Sequence, residues 1–261
     1  MEIIIRDSHQ SAVNLTADII ANALWKRPDL VLGLATGRTM EALYAELARR
    51  HKEEGLDFSK ATTFNLDEYI GLPPDDPNSY RYYMKTHFFD QVNINPECIY
   101  LPDGMAKDIE AECALYEQKI KSAGGIDLQL LGVGRSGHIG FNEPLSALLS
   151  RTRPKALAPW TIEQNAPLFP DPSLMPRRAI TMGVGTILDA RRCLMLATGQ
   201  EKAEVVAKAT EGPITAMLSA TALQLHSHCT VIVDEEASAQ LENREYYEWV
   251  FENEPEWQSY R

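Results

Sequence analysis

Leu128-Gln129-Leu130-Leu131-Gly132-Val133 is followed at once by Gly134-Arg135-Ser136-Gly137-His138-Ile139-Gly140-Phe141-Asn142-Glu143-Pro144. The first six residues are a near-continuous apolar run of strand length, the pattern of a strand covered on both faces and therefore of a parallel sheet. Short β-rich runs recur on either side of it. Upstream lie Glu2 to Ile5, Leu30 to Leu34 and Ala61 to Leu66; downstream lie Ala179 to Met182, Cys193 to Ala197 and Cys229 to Val233. Amphipathic stretches separate them. Asp7 or Ser8 can cap a helix carrying Val13, Ile19, Ile20, Ala23 and Leu24, and Thr39 can cap one from Met40 to about Arg50. Between Asp108 and Lys121, Ile109, Cys113, Tyr116 and Ile120 share one helical face, and further helices start near Glu201 and Thr215. Strands alternating with helices predict an α/β fold: a single doubly wound, mainly parallel, Rossmann-like sheet with helices on both faces. Ligands in such sheets bind beyond the carboxyl ends of strands, here after Leu34, Leu66, Val133 and Ala197.

The chain has 261 residues, of which 44% are hydrophobic and 24% charged, so it can bury a substantial core and is not disordered. It reads as one domain over residues 1–261, without repeat or polar linker. Residues 144–176, rich in Pro, Ser and Arg with Trp160 and Phe169 expected at the surface, interrupt the alternation as a lid or a plain surface insertion. The net charge of −12 disfavours nucleic acid and anionic lipid as partners, so an anionic substrate needs a local basic site. No apolar run is long enough to cross a bilayer, and Met1 to Arg6 is too short for a signal peptide. Four scattered cysteines (Cys98, Cys113, Cys193, Cys229) fit reduced thiols, and the expected location is the cytoplasm.

Three loops carry chemistry. Ala35-Thr36-Gly37-Arg38-Thr39 opens a helix with glycine, two hydroxyls and a cation, which suits an anion and suits equally an ordinary capped turn. Asp67-Glu68 closes an apolar strand; adjacent residues project differently, so at most one faces a given ligand, the other reading being a helix cap. In the third loop Gly132, Gly134 and Gly137 match the dinucleotide fingerprint in form only, because Gly140 and Pro144 interrupt any helix there and Arg151 to Trp160 holds no acidic residue. What remains is a glycine-shaped loop displaying His138 and Glu143, a pair suited to acid–base work near neutral pH. Lys202 offers a point charge for phosphate or is a solvated helix lysine. His226, His228 and Cys229 lack a second ligand cluster, so no metal is expected.

Thr63-Phe64-Asn65-Leu66-Asp67-Glu68-Tyr69-Ile70-Gly71-Leu72, together with Gly137-His138-Ile139-Gly140-Phe141-Asn142-Glu143-Pro144, closely resembles the glucosamine-6-phosphate deaminase family. Ser150 to Arg153, Gly183 to Thr186 and Gln224 to His226 support the resemblance, which runs over nearly the whole chain. It implies conversion of glucosamine 6-phosphate to fructose 6-phosphate and ammonia, without metal or organic cofactor. It implies further that Asp67 moves a proton from sugar C2 to C1. His138 would assist ring opening with Glu143 orienting it, and Thr36, Gly37, Thr39 and Lys202 would hold the phosphate. Three departures stand out. Ser136 replaces an Asp that completes the His–Glu arrangement, Asn165-Ala166-Pro167 stands where a lid arginine is expected, and Arg38 replaces a glycine in the phosphate loop. Arg38 is accordingly read as a phosphate ligand that compensates for the lid. Ser146, Arg153 and Lys155 match part of the site at which N-acetylglucosamine 6-phosphate activates hexameric relatives, so a homo-oligomer, up to a hexamer, is expected. Two alternatives share this resemblance: a galactosamine-6-phosphate deaminase/isomerase, and a sugar-phosphate sensor without turnover. The sensor is disfavoured because Asp67, His138 and Glu143 are all present and no DNA-binding segment is apparent.

Overall fold

The computed structural model describes residues 1–261. Ten strands are present: β1 (Glu2–Arg6), β2 (Val31–Leu34), β3 (Thr62–Asn65), β4 (Asp67–Tyr69), β5 (Ile99–Tyr100), β6 (Leu128–Leu131), β7 (Arg153–Ala156), β8 (Arg178–Thr181), β9 (Arg192–Ala197) and β10 (Cys229–Asp234). Eight helices accompany them: α1 (His9–Lys26), α2 (Arg38–Glu54), α3 (Tyr80–His87), α4 (Ile109–Ser122), α5 (Pro159–Asn165), α6 (Val184–Leu188), α7 (Ala203–Thr210) and α8 (Arg244–Asn253). Seven strands form one sheet in the order β1-β10-β9-β6-β2-β3-β5, and every pairing in it is parallel. All residues of β2, β6 and β10 are buried, odd and even alike, which requires layers on both faces and explains their unbroken apolar runs. One large apolar core fills those layers, and Trp257, in the short 3-10 turn at the carboxyl end, is wholly buried in it. No helix is long and apolar enough to cross a membrane.

From β2 the chain winds through β3 to β5 in one direction; from β6 it winds through β9 to β10 in the other. Neighbouring strands β2 and β6 therefore send their loops apart, leaving a crevice at their carboxyl ends.

A second, three-stranded antiparallel sheet, β4-β8-β7, was not expected. The strand anticipated at 179–182 belongs to it, with Asp67 paired to Thr181 on one side and Arg153 to Thr181 on the other. Leu66 joins the sheets: its N–H donates to the Leu34 carbonyl at 3.0 Å and its own carbonyl accepts from the Met182 N–H at 2.7 Å. Residues 144–176 are more regular than their composition suggests, since they include β7 and α5. Trp160 is exposed as expected, whereas Phe169 is buried, its ring edge-on to Tyr69 at 5.9 Å in a small second core with Phe141 and Met175. Helix α2 starts at Arg38 rather than after Thr39. Gly37 occupies the cap position at φ 123°, which glycine alone adopts readily.

Candidate active site

A cavity of about 710 Å³ occupies the crevice, lined among others by Thr36, Gly37, Asp67, His138, Gly140 and Lys202. Asp67 begins β4 and is 6% exposed. Burial pushes its pKa up to about 8, the adjacent Glu68 charge adds to the rise, and the Phe141 N–H opposes it. Glu68 points elsewhere. Its Oε1 accepts from the Tyr69 and Tyr80 N–H groups at 2.8 and 2.9 Å, and its Oε2 from the Arg81 N–H at 2.9 Å, so it caps the start of α3. Of the two neighbouring carboxylates, Asp67 lines the cavity and Glu68 serves the helix.

The loop after β6 folds back on itself, the Gly134 N–H donating to the His138 carbonyl at 2.9 Å. A Cβ at Gly134 would lie 2.1 Å from His138 Nε2, so the imidazole occupies the space that glycine leaves. On its other side, His138 Nδ1 sits 2.8 Å from Ser136 Oγ and 3.3 Å from Glu143 Oε2. Oε1 of Glu143 accepts from Thr161 Oγ1 at 2.6 Å and from the Ala158 N–H at 3.2 Å. Burial alone would raise the Glu143 pKa; hydrogen bonds from His138, Thr161 and Ala158 outweigh it and hold the carboxyl below its ordinary value. A neutral ring protonated at Nδ1 serves the carboxylate acceptor and leaves Nε2 with its lone pair. Ser136 and Glu143 stand behind the ring rather than on the cavity wall.

Thr36 and Gly37 link β2 to α2, Arg38 and Thr39 open that helix, and all four line the cavity, towards which the 17 residues of α2 direct their positive dipole end. Lys202 Nζ donates to the Val133 carbonyl at 3.0 Å, and burial lowers its pKa against the opposing pull of Glu201. Arg135 pairs with Glu201 at 2.7 Å across the rim, while Arg38 is exposed there and free of ion pairs. One cavity is thus lined by a carboxyl, an imidazole, cations and the amides at the start of a helix.

The model of the glucosamine-6-phosphate isomerases and 6-phosphogluconolactonases matches residues 6–232. The chain belongs to this family. A glucosamine-6-phosphate deaminase of Hahella chejuensis is 50% identical over 250 residues, covering 96% of this chain and 95% of that one. That of Arthrobacter sp. (strain FB24) is 48% identical over 258 residues, 99% of each. A solved structure described as a monomeric glucosamine-6-phosphate deaminase superposes with a TM-score of 0.90 at 46% identity, over 92% of this chain and all of that one.

Within this family member, Asp67, His138, Thr36, Gly37, Arg38, Thr39 and Lys202 meet around one cavity, while Ser146, Arg153 and Lys155 lie off it. Ser146 is 2% exposed, with its hydroxyl unpartnered. Arg153 Nη1 donates to Asn142 Oδ1 at 2.9 Å and its Nη2 is buried without a partner; Lys155 follows two residues on along β7. His226 is structural: its Nε2 meets the Ala190 carbonyl at 2.7 Å and its Nδ1 accepts from the His228 N–H. Sequence reading missed Thr161 and Ala158, which hold Glu143. It also missed Tyr83, whose hydroxyl donates to the Gly37 carbonyl at 2.8 Å, and Tyr80, which stacks on Phe141. Tyrosines read simply as core. Only the excess of Tyr between positions 69 and 83, after a strand ending in carboxylates, hints at a cavity wall.

Proposed function

We propose that this protein is a hydrolytic deaminase and isomerase that converts glucosamine 6-phosphate and water to fructose 6-phosphate and ammonia. The observation that carries this reading is a buried aspartyl, its pKa pushed up to about 8, lining the same cavity as a helix amino end and a lysine. The phosphate anchors at Thr36, Gly37, Thr39 and Lys202, with Arg38 supplying the charge that residues 165–167 lack. His138 Nε2 takes the anomeric hydroxyl proton and passes it to the ring oxygen as the C1–O5 bond breaks, steadied through Nδ1 by Glu143 and Ser136. Asp67 then carries the C2 proton to C1 while the C1 oxygen gains the proton that the amino group gives up, leaving an imine at C2; water adds there and ammonia departs. A carboxyl poised near neutrality suits a group that must both accept and return a proton. Positioning supplies much of the rate, since both reacting carbons are fixed by the distant phosphate.

Segment 144–176 acts as the lid, supported by the contact of Phe169 with Tyr69 two residues beyond the base. The cytoplasm is the working location, in keeping with four free cysteines. The homo-oligomer expected from sequence stands against the relative described as monomeric; light scattering decides, a 29.2 kDa particle meaning a monomer. An effector site at Ser146, Arg153 and Lys155 draws support from the two unpartnered buried groups. A hyperbolic rate curve unchanged by N-acetylglucosamine 6-phosphate removes it. The deciding assay is ammonia release from glucosamine and galactosamine 6-phosphates side by side. Release from the glucosamine sugar is expected. Preference for the galactosamine sugar would reassign the substrate, and release from neither would make the protein a sensor.

A further inference from the structure

Helix α5 begins without a side-chain cap, because Ala158 stands at its N-cap position. Glu143, fifteen residues earlier, supplies what is missing. Its Oε1 accepts the Ala158 N–H at 3.2 Å and the hydroxyl of Thr161, in the first turn, at 2.6 Å. Thr161 is 2% exposed and Glu143 4%, so neither group can exchange its partner for bulk water. The other oxygen of the same carboxylate is the one 3.3 Å from His138 Nδ1. Ser136 Oγ competes for that nitrogen at 2.8 Å, and a hydroxyl serves as donor or acceptor alike. Ser136 therefore leaves the ring tautomer undecided, and the carboxylate, which only accepts, decides it. Its orientation is set in turn by two donors, both on the segment 144–176.

We propose that Thr161 is a positioning residue for the ring-opening step, holding the Glu143 carboxylate so that His138 keeps its proton on Nδ1 and presents a bare Nε2 to the sugar. The assignment deepens the deaminase reading and rests on it for the chemistry, though not for the geometry. It makes docking of α5 a condition of the His138 tautomer: when α5 leaves, Glu143 loses both Oε1 donors at once and the ring loses its fixed acceptor.

The test compares Thr161→Val, which keeps the shape and removes the hydroxyl, with Thr161→Ser, which restores it. For the valine protein kcat should fall about tenfold with KM within twofold of wild type, and serine should recover the rate. A valine protein with unchanged kcat, or a serine protein as slow as the valine one, would overturn the proposal. Independently of turnover, 15N NMR of the imidazole, assigned through His138→Gln, should show the Nδ1–H tautomer dominant in wild type and Thr161→Ser and mixed in Thr161→Val. Identical tautomer signatures in wild type and Thr161→Val would overturn it as well, even with a lowered melting temperature. Should wild type release no ammonia from either amino-sugar phosphate, the deaminase reading fails while the tautomer comparison still decides the role of Thr161.

Discussion

Asp67 bears two opposed demands: it is buried, and the proposed role as base needs it charged before it can take a proton. In the folded chain its carboxyl ionises near pH 8, whereas in the unfolded chain it ionises near its ordinary value of 3.8. Folding therefore costs nothing extra below about pH 4; the penalty grows as pH rises towards 8 and is complete above it. Asp67→Asn should abolish ammonia release and, at pH 9, raise unfolding free energy by on the order of 6 kcal/mol, while at pH 4 the two proteins should unfold alike in urea. The same shift predicts that kcat/KM of the wild type climbs through about pH 8 as the free base ionises. A plateau already reached at pH 6 would reject Asp67 as that base. Arg38 is the second residue with a clear outcome. Exposed on the rim and unpaired, it contributes little to stability, so Arg38→Ala should melt like wild type yet raise KM at least tenfold. An unchanged KM would leave the phosphate to Lys202 and the amides of α2.

At the scale of elements, the glycine loop after β6 offers the sharpest test. Gly134→Ala places a methyl group 2.1 Å from His138 Nε2, so the ring must move. A loss of at least a hundredfold in kcat with a cooperative thermal transition near that of wild type is expected, measured by coupled assay and calorimetry. Legibility follows the same physics. The central strands were readable because burial on both faces writes an unbroken apolar run, and α4 because fourteen residues give its period room to show. Strand β7, Arg153-Pro154-Lys155-Ala156, is an edge strand whose only partner is β8, so neither alternation nor the proline rule marks it. Strand β4 has three residues, all buried, two of them carboxylates; nothing local separates it from a loop. The residues of the site that sit on loop motifs were accessible, Asp67, His138 and Glu143 above all. Thr161 was not, because its partner lies eighteen residues away and the bond exists only once α5 has docked.

The whole molecule separates what stabilises it from what works. Site loops gather at the carboxyl ends of the strands, whereas α8 and the terminal turn pack beside β1, at the far edge of the sheet from β5. Trp257→Ala removes a side chain 1% exposed in the main core and should cost roughly 3 to 5 kcal/mol in urea unfolding. Its kinetic constants at 25 °C should stay within twofold of wild type; a large kcat change would mean that the terminus reaches the site. Charge obeys a similar division, since the net −12 is spread widely while Arg38, Arg135 and Lys202 cluster at the cavity. Leu66 is where the two sheets meet, one amide tied to Leu34 and one carbonyl tied to Met182. Spacing at that junction is held to a count as well as a composition. Because side chains alternate sides beyond it, one inserted residue would turn Asp67 towards the amides of α3 and leave a newcomer in the cavity.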